Sequence, residues 1–143
     1  MKDITEEHFV GKVAQKALII KDKCILLVRD PREENEIWEL PGGRLNVGES
    51  PKVGLAREVL EELGVEVDVH EVVHLEQFLQ GSEGKNALMI AYLASLKDFE
   101  AELIPDKREI AEVRFVPISE VLELNLFPEY RRAIEVYIGS YKE

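Results

Sequence analysis

The stretch GRLNVGESPKVGLAREVLEELGV, at residues 43–65, joins a glycine-containing loop to a segment with the pattern of a helix. Ser50 is a favourable N-cap because its hydroxyl can accept a hydrogen bond from a backbone N–H that lacks a partner. Pro51 suits the first helical position, since it has no N–H to leave unpaired. Gly64 can adopt the left-handed conformation that ends a helix. The stretch therefore predicts a helix over residues 51–63.

The predicted helix carries one apolar stripe, whose members recur at steps of three and four: Val53, Ala56, Leu60 and Leu63. A stripe of this kind is expected to pack against the core. The acids Glu58, Glu61 and Glu62 lie elsewhere on the helix, and their spacing lets the side chains converge. Three carboxylates so close repel one another unless a cation or an arginine lies among them. Oxygen ligands that leave open positions suit Mg²⁺ or Mn²⁺, with phosphate oxygens completing the coordination.

A solvated acidic face is the simpler explanation for such a helix alone, but the whole stretch has a further order. Its fixed positions are Gly43, Glu49, Arg57, Glu58, Glu61, Glu62 and Gly64, with aliphatic residues at Val59 and Val65. This order resembles the Nudix box, G-x5-E-x7-R-E-U-x-E-E-x-G-U with U a bulky aliphatic residue, and it matches at every fixed position. The resemblance continues upstream, where a tryptophan precedes L-P-G-G at residues 38–43, as is common in MutT-like members.

The resemblance implies a role for each position of the box. The implied metal ligands are three carboxylates and one backbone carbonyl: Glu58, Glu61, Glu62 and, for the carbonyl, Gly43. The implied ion is Mg²⁺ or Mn²⁺. Glu49 and Arg57 usually form an ion pair that ties the helix to the loop. Two alternatives remain open, because Glu49 contacts metal in some members and an arginine in the position of Arg57 can contact substrate.

Three residues upstream of the box are candidates for substrate binding. Arg29 ends a predicted strand, where the family often carries an arginine near the substrate, and a surface ion pair is the equal alternative. Trp38 can stack on a nucleobase, although packing against the sheet is the default expectation. Glu39 is close enough in sequence to act as an outer metal ligand.

A late segment, EIAEVRFVP at residues 109–117, offers a further carboxylate. Family members often place an acid shortly before such a stretch, and Glu112 matches best, with Glu109 as second choice. The acid would serve as an additional metal ligand or as general base, and an ordinary loop acid is the alternative. The candidate catalytic acids are therefore Glu58, Glu61 and Glu112, and the sequence does not choose the base between Glu61 and Glu112.

The composition is that of a globular protein, with 143 residues, 45% hydrophobic and 33% charged, and a formal net charge of −11. One domain over residues 1–143 is expected. Such acidity disfavours nucleic-acid binding, and it agrees with bound cations at a phosphate site. The only cysteine, Cys24, excludes an internal disulfide and is expected to be a buried core thiol. With no signal peptide or membrane span apparent, a cytoplasmic protein that contacts no membrane is expected.

The order of apolar runs and turns predicts the fold class. Strands are predicted at residues 13–20, 24–29, 65–73, 75–79, 87–96 and 109–117, and helices after the box at 118–123 and 128–141. Residues 21–23 form the turn of a hairpin between the first two strands. This pattern indicates an α/β fold (α+β), and the resemblance implies the Nudix fold, an α/β/α sandwich around a mixed β-sheet. A homodimer, frequent in the family, is compatible with the apolar strands and the last helix.

The resemblance implies hydrolysis of the diphosphate bond in a nucleoside diphosphate linked to another moiety, X. The P-G-G at residues 41–43 differs from the P-A-G of many ADP-ribose hydrolases, and we expect this protein to lack the extended N-terminal region of that branch. Both points favour a compact MutT-like enzyme acting on nucleoside triphosphates or oxidised nucleotides. The alternatives are an ADP-ribose or nucleotide-sugar diphosphatase, a non-catalytic nucleotide-binding module, and a prenyl diphosphate isomerase, for which Cys24 is not suitably placed.

Overall fold

A computed structural model of the chain describes residues 6–81 and 84–141, and these contain a six-stranded sheet and two α-helices. The strands are β1 (Lys12–Lys21), β2 (Cys24–Arg29), β3 (Gly42–Arg44), β4 (Val67–Gln80), β5 (Lys85–Leu96) and β6 (Glu112–Pro117). The helices are α1 (Pro51–Leu63) and α2 (Pro128–Ser140), and a short 3₁₀ turn covers Val121–Glu123. Neither α1 nor α2 is long and apolar enough to span a membrane, and the described residues offer no other candidate helix.

The strands are arranged around β1. The sheet order is β4-β5-β1-β2-β6, and β3 pairs with β1 outside this path. β1 and β5 run parallel, whereas the other pairs are antiparallel, so the sheet is mixed as predicted. The first half of β1 pairs with β3, from Ala14 opposite Arg44 to Lys16 opposite Gly42. Its second half pairs with β2, where Ile20 lies opposite Ile25. One strand therefore holds the loop that begins the box against the rest of the sheet.

The two helices cover opposite faces of the sheet, which confirms the predicted α/β/α sandwich. Leu18 of β1 belongs to a core with Tyr130 and Ile134 of α2. Its neighbours Ala17 and Ile19 belong to a second core with α1. Successive strand residues point to opposite faces, so a strand buried on both faces is apolar throughout.

The bounds and the C-terminal end of α1 agree with the prediction, but its buried face does not. Gly64 ends the helix at φ 68°, while Ser50 stands at the N-cap without a side-chain capping hydrogen bond. Four residues of the helix are buried: Gly54, Leu55, Val59 and Leu63. Val53 and Leu60 are instead 66% and 46% exposed. The expected stripe was wrong because two stripes of period three to four share Leu63, and spacing alone does not select between them.

The hairpin between β1 and β2 is confirmed and turns through Asp22 and Lys23, whose φ angles are 50° and 60°. Positive φ at both central residues gives the twist that a two-residue hairpin needs. Cys24, the first residue after this turn, is partly exposed rather than buried. The expectation of a core thiol was wrong because Cys24 begins the strand, whereas the apolar residues after it are covered.

Candidate active site

Arg57 is the centre of a network of ion pairs on the exposed side of α1. Its Nε donates to Glu49 Oε2 at 2.8 Å, and its Nη1 donates to Glu61 Oε1 at 3.0 Å. Its Nη2 donates to Glu58 Oε1 at 3.2 Å. The structure thus brings together Glu49 and Arg57, and it also brings two acids of the box to the same guanidinium. The mutual repulsion of these acids is relieved here by an arginine.

The ion pairs of the network shift the pKa values of the acid Glu49 and of Arg57 in opposite directions. The hydrogen bond from Arg57 holds the pKa of the Glu49 carboxyl below its usual value. The hydrogen bonds to Glu49 and Glu61 raise the pKa of the Arg57 guanidinium, so it stays charged at any working pH. Glu49 is therefore an anion that fixes the loop before α1 to the helix.

Glu62 lies apart from this network, on the side of α1 that faces β3. Its Oε1 accepts a hydrogen bond from the backbone N–H of Gly42 at 2.9 Å. The pKa of its carboxyl is raised from 4.5 to about 7, mainly by burial; Lys16 and the Gly42 N–H act to lower this pKa, and the charges of Glu58 and Glu109 add to the rise. Glu62 is thus a desolvated carboxylate that a nearby cation would stabilise.

The oxygen atoms around Gly43 are of the kind that bind a hard divalent cation. A Cβ built on Gly43 would lie 2.6 Å from the carboxyl carbon of Glu58, so only glycine lets this carboxylate lie against the loop. Gln15, opposite Gly43 in the sheet, is 1% exposed and its side-chain amide has no hydrogen-bond partner within the described residues. A hydrated ion or a phosphate would satisfy such a group. Carboxylate and carbonyl oxygens are the ligands that Mg²⁺ and Mn²⁺ prefer.

The conformation described does not itself form a closed metal cage. Within residues 6–81 and 84–141, no three acidic, histidine or cysteine side chains are placed to hold one ion together. The reason is visible in the contacts, because Glu58 and Glu61 face Arg57 while Glu62 faces Gly42. Binding an ion at all three would require Glu58 and Glu61 to turn away from the guanidinium.

A buried lysine beside the site was missed by the sequence analysis. Lys16 is 8% exposed, its Nζ pairs with Glu39 Oε1 at 3.3 Å and lies 5.4 Å from the centre of the Tyr130 ring. Burial alone would lower the pKa of Lys16, but the charges of Tyr130, Glu39 and Glu62 and the hydrogen bond to Glu39 raise it overall. Glu39 therefore forms an ion pair with Lys16. A lysine in a strand with many apolar residues could have indicated a buried charge, but not its partner.

The remaining candidates form a separate cluster at β2 and β6. Arg29 Nη2 lies 3.1 Å from Glu112 Oε1, so Arg29 forms an ion pair, and its contact with substrate stays a prediction. Trp38 is 2% exposed, and the guanidinium carbons of Arg29 and Arg114 lie 5.8 and 5.4 Å from its ring. Its packing role accounts for this position, and stacking on a nucleobase would require the ring to be uncovered. Of the two late acids, Glu109 contributes to the raised pKa of Glu62.

Comparison with known proteins agrees with the arrangement of the box. The family model of the NUDIX domain matches residues 12–137. The chain belongs to the Nudix hydrolase family. It is 40% identical over 63 residues to the CTP pyrophosphohydrolase of Escherichia coli, covering 43% of this chain and 47% of the relative. It is 30% identical to the NAD-capped RNA hydrolase NudC of Stutzerimonas stutzeri over 85% of this chain and 42% of the relative.

A solved structure shows the same fold. The solution structure of the E. coli ORF135 protein superposes with a TM-score of 0.75 at 27% identity, covering 90% of this chain and 89% of that one. The matches span only 34%, 38% and 45% of the length of three curated relatives. Family membership therefore rests on the Nudix domain, and the activity of the whole protein is treated below as a proposal.

The network around Arg57 predicts that a lysine cannot replace it within the Nudix box. We expect Arg57→Lys to lower the free energy of unfolding by about 1–2 kcal/mol, because an ammonium cannot keep the paired hydrogen bonds of the guanidinium. The matched control is Arg108→Lys. The Arg108 guanidinium pairs with a single carboxylate, that of Asp106, and the arginine side chain is 89% exposed. Urea unfolding of both variants is the measurement. Equal losses, or none for Arg57→Lys, would contradict a structural role for the network.

The glycine inside α1 gives a second prediction. A Cβ at Gly54 would lie 2.5 Å from the Glu49 carboxyl, whereas a Cβ at Gly139 of α2 meets nothing within 4 Å. Alanine should therefore stabilise the helix by about 0.5–1 kcal/mol at Gly139, its normal advantage over glycine. At Gly54 the same change displaces Glu49 from Arg57 and cancels this gain. Thermal unfolding of the two variants tests the difference, and an equal gain at both positions would contradict it.

Proposed function

We propose that this Nudix hydrolase cleaves the diphosphate bond of a nucleoside triphosphate or an oxidised nucleotide, with Mg²⁺ or Mn²⁺ as cofactor. The observation that carries the proposal is the contact between the glycine loop and the acids of α1. Gly42 donates its N–H to Glu62, and Gly43 leaves room for the carboxylate of Glu58. Glu62 is a buried carboxylate at this contact, and Gln15, whose side-chain amide has no partner among the described residues, lies opposite Gly43 in the sheet.

The residues proposed to hold the ion are Glu58, Glu61 and Glu62, with the carbonyl of Gly43. The ion would supply positive charge for the diphosphate oxygens and a bound water of lowered pKa. A carboxylate of the chain would accept a proton from the attacking water. Glu61 is our first choice, because its side chain is 56% exposed and reaches solvent. Glu112, the other candidate base and a further candidate ligand, would first have to leave Arg29.

The other candidate residues keep supporting roles in this proposal. Arg57 and Glu49 fix the loop relative to α1, so the proposed metal ligands of the loop and of the helix keep a constant relative position. Arg29 remains a candidate contact for substrate, since its side chain is 24% exposed even in the pair with Glu112. Lys16 keeps Glu39 engaged at 3.3 Å, and this pair places a buried cation near Glu62.

The choice of substrate is supported by the P-G-G of the loop and by the likeness to a CTP pyrophosphohydrolase. ADP-ribose and nucleotide sugars are the alternative substrates, and the likeness to a NAD-capped RNA hydrolase keeps dinucleotides among them. A non-catalytic nucleotide-binding module is the alternative outside enzymes. The complete acid set of the box favours catalysis, because a binding module does not need all of it.

A hydrolysis screen with Mg²⁺ and with Mn²⁺ tests the proposal. It compares nucleoside triphosphates, oxidised guanine nucleotides, ADP-ribose, nucleotide sugars and dinucleoside polyphosphates. Turnover of triphosphates or oxidised nucleotides above the rest is the expected result. Turnover of only ADP-ribose or a nucleotide sugar would show that the proposed substrate class is wrong. Tight nucleotide binding without any turnover would show that the protein is a binding module and not an enzyme.

We also propose that the protein is cytoplasmic. A reducing compartment suits the free thiol of Cys24.

We further propose that the protein is a homodimer. β4 is an edge strand with three exposed apolar residues, Val72, Leu75 and Leu79, which are 44%, 54% and 69% exposed. Such an edge can pair with a second copy. Light scattering coupled to size exclusion at micromolar concentration should give twice the mass of the chain, and a monomer there would exclude the dimer.

A further inference from the structure

One buried side chain in the described part of the chain has polar atoms without any hydrogen-bond partner, and it belongs to Gln15. Gln15 is 1% exposed, and both its Nε2 and its Oε1 are unpaired among the described residues. An amide buried in this way loses its hydrogen bonds to water and gains none in return. Ala17 and Ile19, which follow on the same face of β1, are apolar and fully buried. An apolar side chain at position 15 would complete this face at lower free energy, so the amide indicates a role other than packing.

Strand pairing places Gln15 beside Gly43, on the side of the sheet that α1 covers. The two residues lie opposite each other in the antiparallel pair of β1 and β3. Side chains of opposite residues project to the same side, with Cβ atoms about 4.5–5.5 Å apart. A Cβ built at Gly42 would overlap the backbone carbonyl of Gln15, so glycine at this position lets β3 lie close to β1. The Gln15 side chain therefore extends from β1 into the space between β3 and α1.

The carboxylate of Glu58 lies in the same space, directly over Gly43. Its Oε2 would be 2.6 Å from a Cβ built at Gly43. Its Oε1 accepts a hydrogen bond from Arg57 Nη2 at 3.2 Å, and this carboxylate has no other hydrogen bond within residues 6–81 and 84–141. Oε2 thus faces β3 and the adjacent β1, where Gln15 holds an unpaired N–H donor one residue pair away.

A bound ion would change which donor the Glu58 carboxylate needs. Coordination by the acids of the box requires Glu58 to turn away from Arg57. The guanidinium cannot follow it, because Nε and Nη2 also donate to the two oxygens of Glu49, at 2.8 and 3.3 Å. A carboxylate that ligates a metal ion is normally held by a further hydrogen bond. Gln15 offers that hydrogen bond from the opposite side of the carboxylate.

We propose that Gln15 is a positioning residue of the metal site, whose Nε2 donates to the Glu58 carboxylate and holds it in the conformation that binds the ion. The inference rests on the proposed function, since the ion belongs to that proposal, and it adds a residue from outside the Nudix box. The amide is neutral, so it orients the carboxylate without competing with the ion for its charge, as the Arg57 guanidinium does. Gln15 itself contacts neither the ion nor the substrate.

The variant that tests this role is Gln15→Met, which keeps an unbranched side chain of similar length and removes both polar atoms. The first measurement is a calorimetric titration of the substrate-free protein with Mn²⁺. We expect the dissociation constant to rise roughly ten- to a hundredfold, as for the loss of other groups that orient a metal ligand. The matched control is Gln77→Met, the same change at an exposed position of β4, which should bind Mn²⁺ like the wild type. Equal affinity in wild type and Gln15→Met would overturn the proposal.

Urea unfolding in EDTA separates positioning from a structural role of Gln15. The metal-free variant should have a higher urea midpoint than the wild type, because methionine leaves no buried polar group unpaired. Saturating Mn²⁺ should reduce this advantage or reverse it, since the wild type binds the ion more tightly. A Gln15→Met variant that is less stable than the wild type in EDTA, or does not fold, would show that the amide supports the fold itself and would overturn the positioning role.

A crystal structure of the wild type with Mn²⁺ tests the contact directly. Gln15 Nε2 should lie about 2.9 Å from an oxygen of Glu58, and Glu58 should be a ligand of the ion. An ion held by Glu58 while Gln15 bonds another group, or contacts the ion itself, would contradict the inference.

These measurements need no substrate, so this inference and the proposed function can fail separately. If the wild type binds Mn²⁺ with this contact but hydrolyses none of the compounds in the screen, the hydrolase proposal fails and the role of Gln15 stands. If the wild type hydrolyses a nucleotide and Gln15→Met binds Mn²⁺ equally well, the hydrolase proposal stands and the role of Gln15 fails.

Discussion

Replacing Glu62 by glutamine is expected to lower kcat at saturating Mg²⁺ by about 1,000-fold while leaving the fold intact. A bound metal ion contributes several kcal/mol to stabilisation of the transition state, and each 1.36 kcal/mol is a factor of ten. Glutamine removes the charge that would bind the ion. The fold is retained because the glutamine carbonyl can still accept the Gly42 N–H that Glu62 accepts now at 2.9 Å.

The matched control for this prediction is Glu135→Gln, an exposed acid on α2. It changes the net charge equally and should keep the wild-type kcat. Circular dichroism of both variants establishes that they are folded. Near-normal turnover by folded Glu62→Gln would remove Glu62 from the proposed metal ligands.

The same residue should dominate the pH dependence of stability in the metal-free protein. The pKa of Glu62 is raised to about 7 by burial, so the folded state holds a proton that the unfolded chain, with a pKa of 4.5, releases. Between these two values unfolding releases protons, and stability therefore falls as the pH rises. Raising the pKa from 4.5 to about 7 corresponds to a loss of about 3 kcal/mol, complete above pH 7.

Glutamine cannot ionise, so Glu62→Gln should escape this loss. We expect the variant to be about 3 kcal/mol more stable than wild type at pH 8 without metal, and nearly equal to it at pH 4.5. Urea unfolding at both pH values, with EDTA present, measures the difference. Parallel pH profiles for wild type and variant would show that Glu62 ionises normally in the folded state. Saturating Mg²⁺ should stabilise wild type more than the variant at pH 8.

The position of α1 could be read from the sequence because its ends have local causes. Pro51 and Gly64 act within one turn of the chain, and the structure places the helix between them. The buried face has a non-local cause, since it depends on where the sheet lies. Leu55 and Val59 are buried and Leu60 is exposed because β1 and β4 approach from one side only.

The site was less predictable than the fold, for a similar reason. Spacing placed Glu58, Glu61 and Glu62 near one another, but it could not show that Arg57 would lie between two of them and leave the third at Gly42. Lys16 pairs with Glu39 across 23 positions of sequence, which no local pattern reveals.

The burial of β1 on both faces has a consequence for how such a protein diversifies. Ala17 and Ile19 support the helix that carries the acids, while Leu18 and Lys16 support the opposite face. Substitutions separated by the sheet have few shared neighbours, so their free-energy effects are close to additive. Descendants of one ancestral gene can therefore drift on the α2 side, while purifying selection preserves the side that carries the acids.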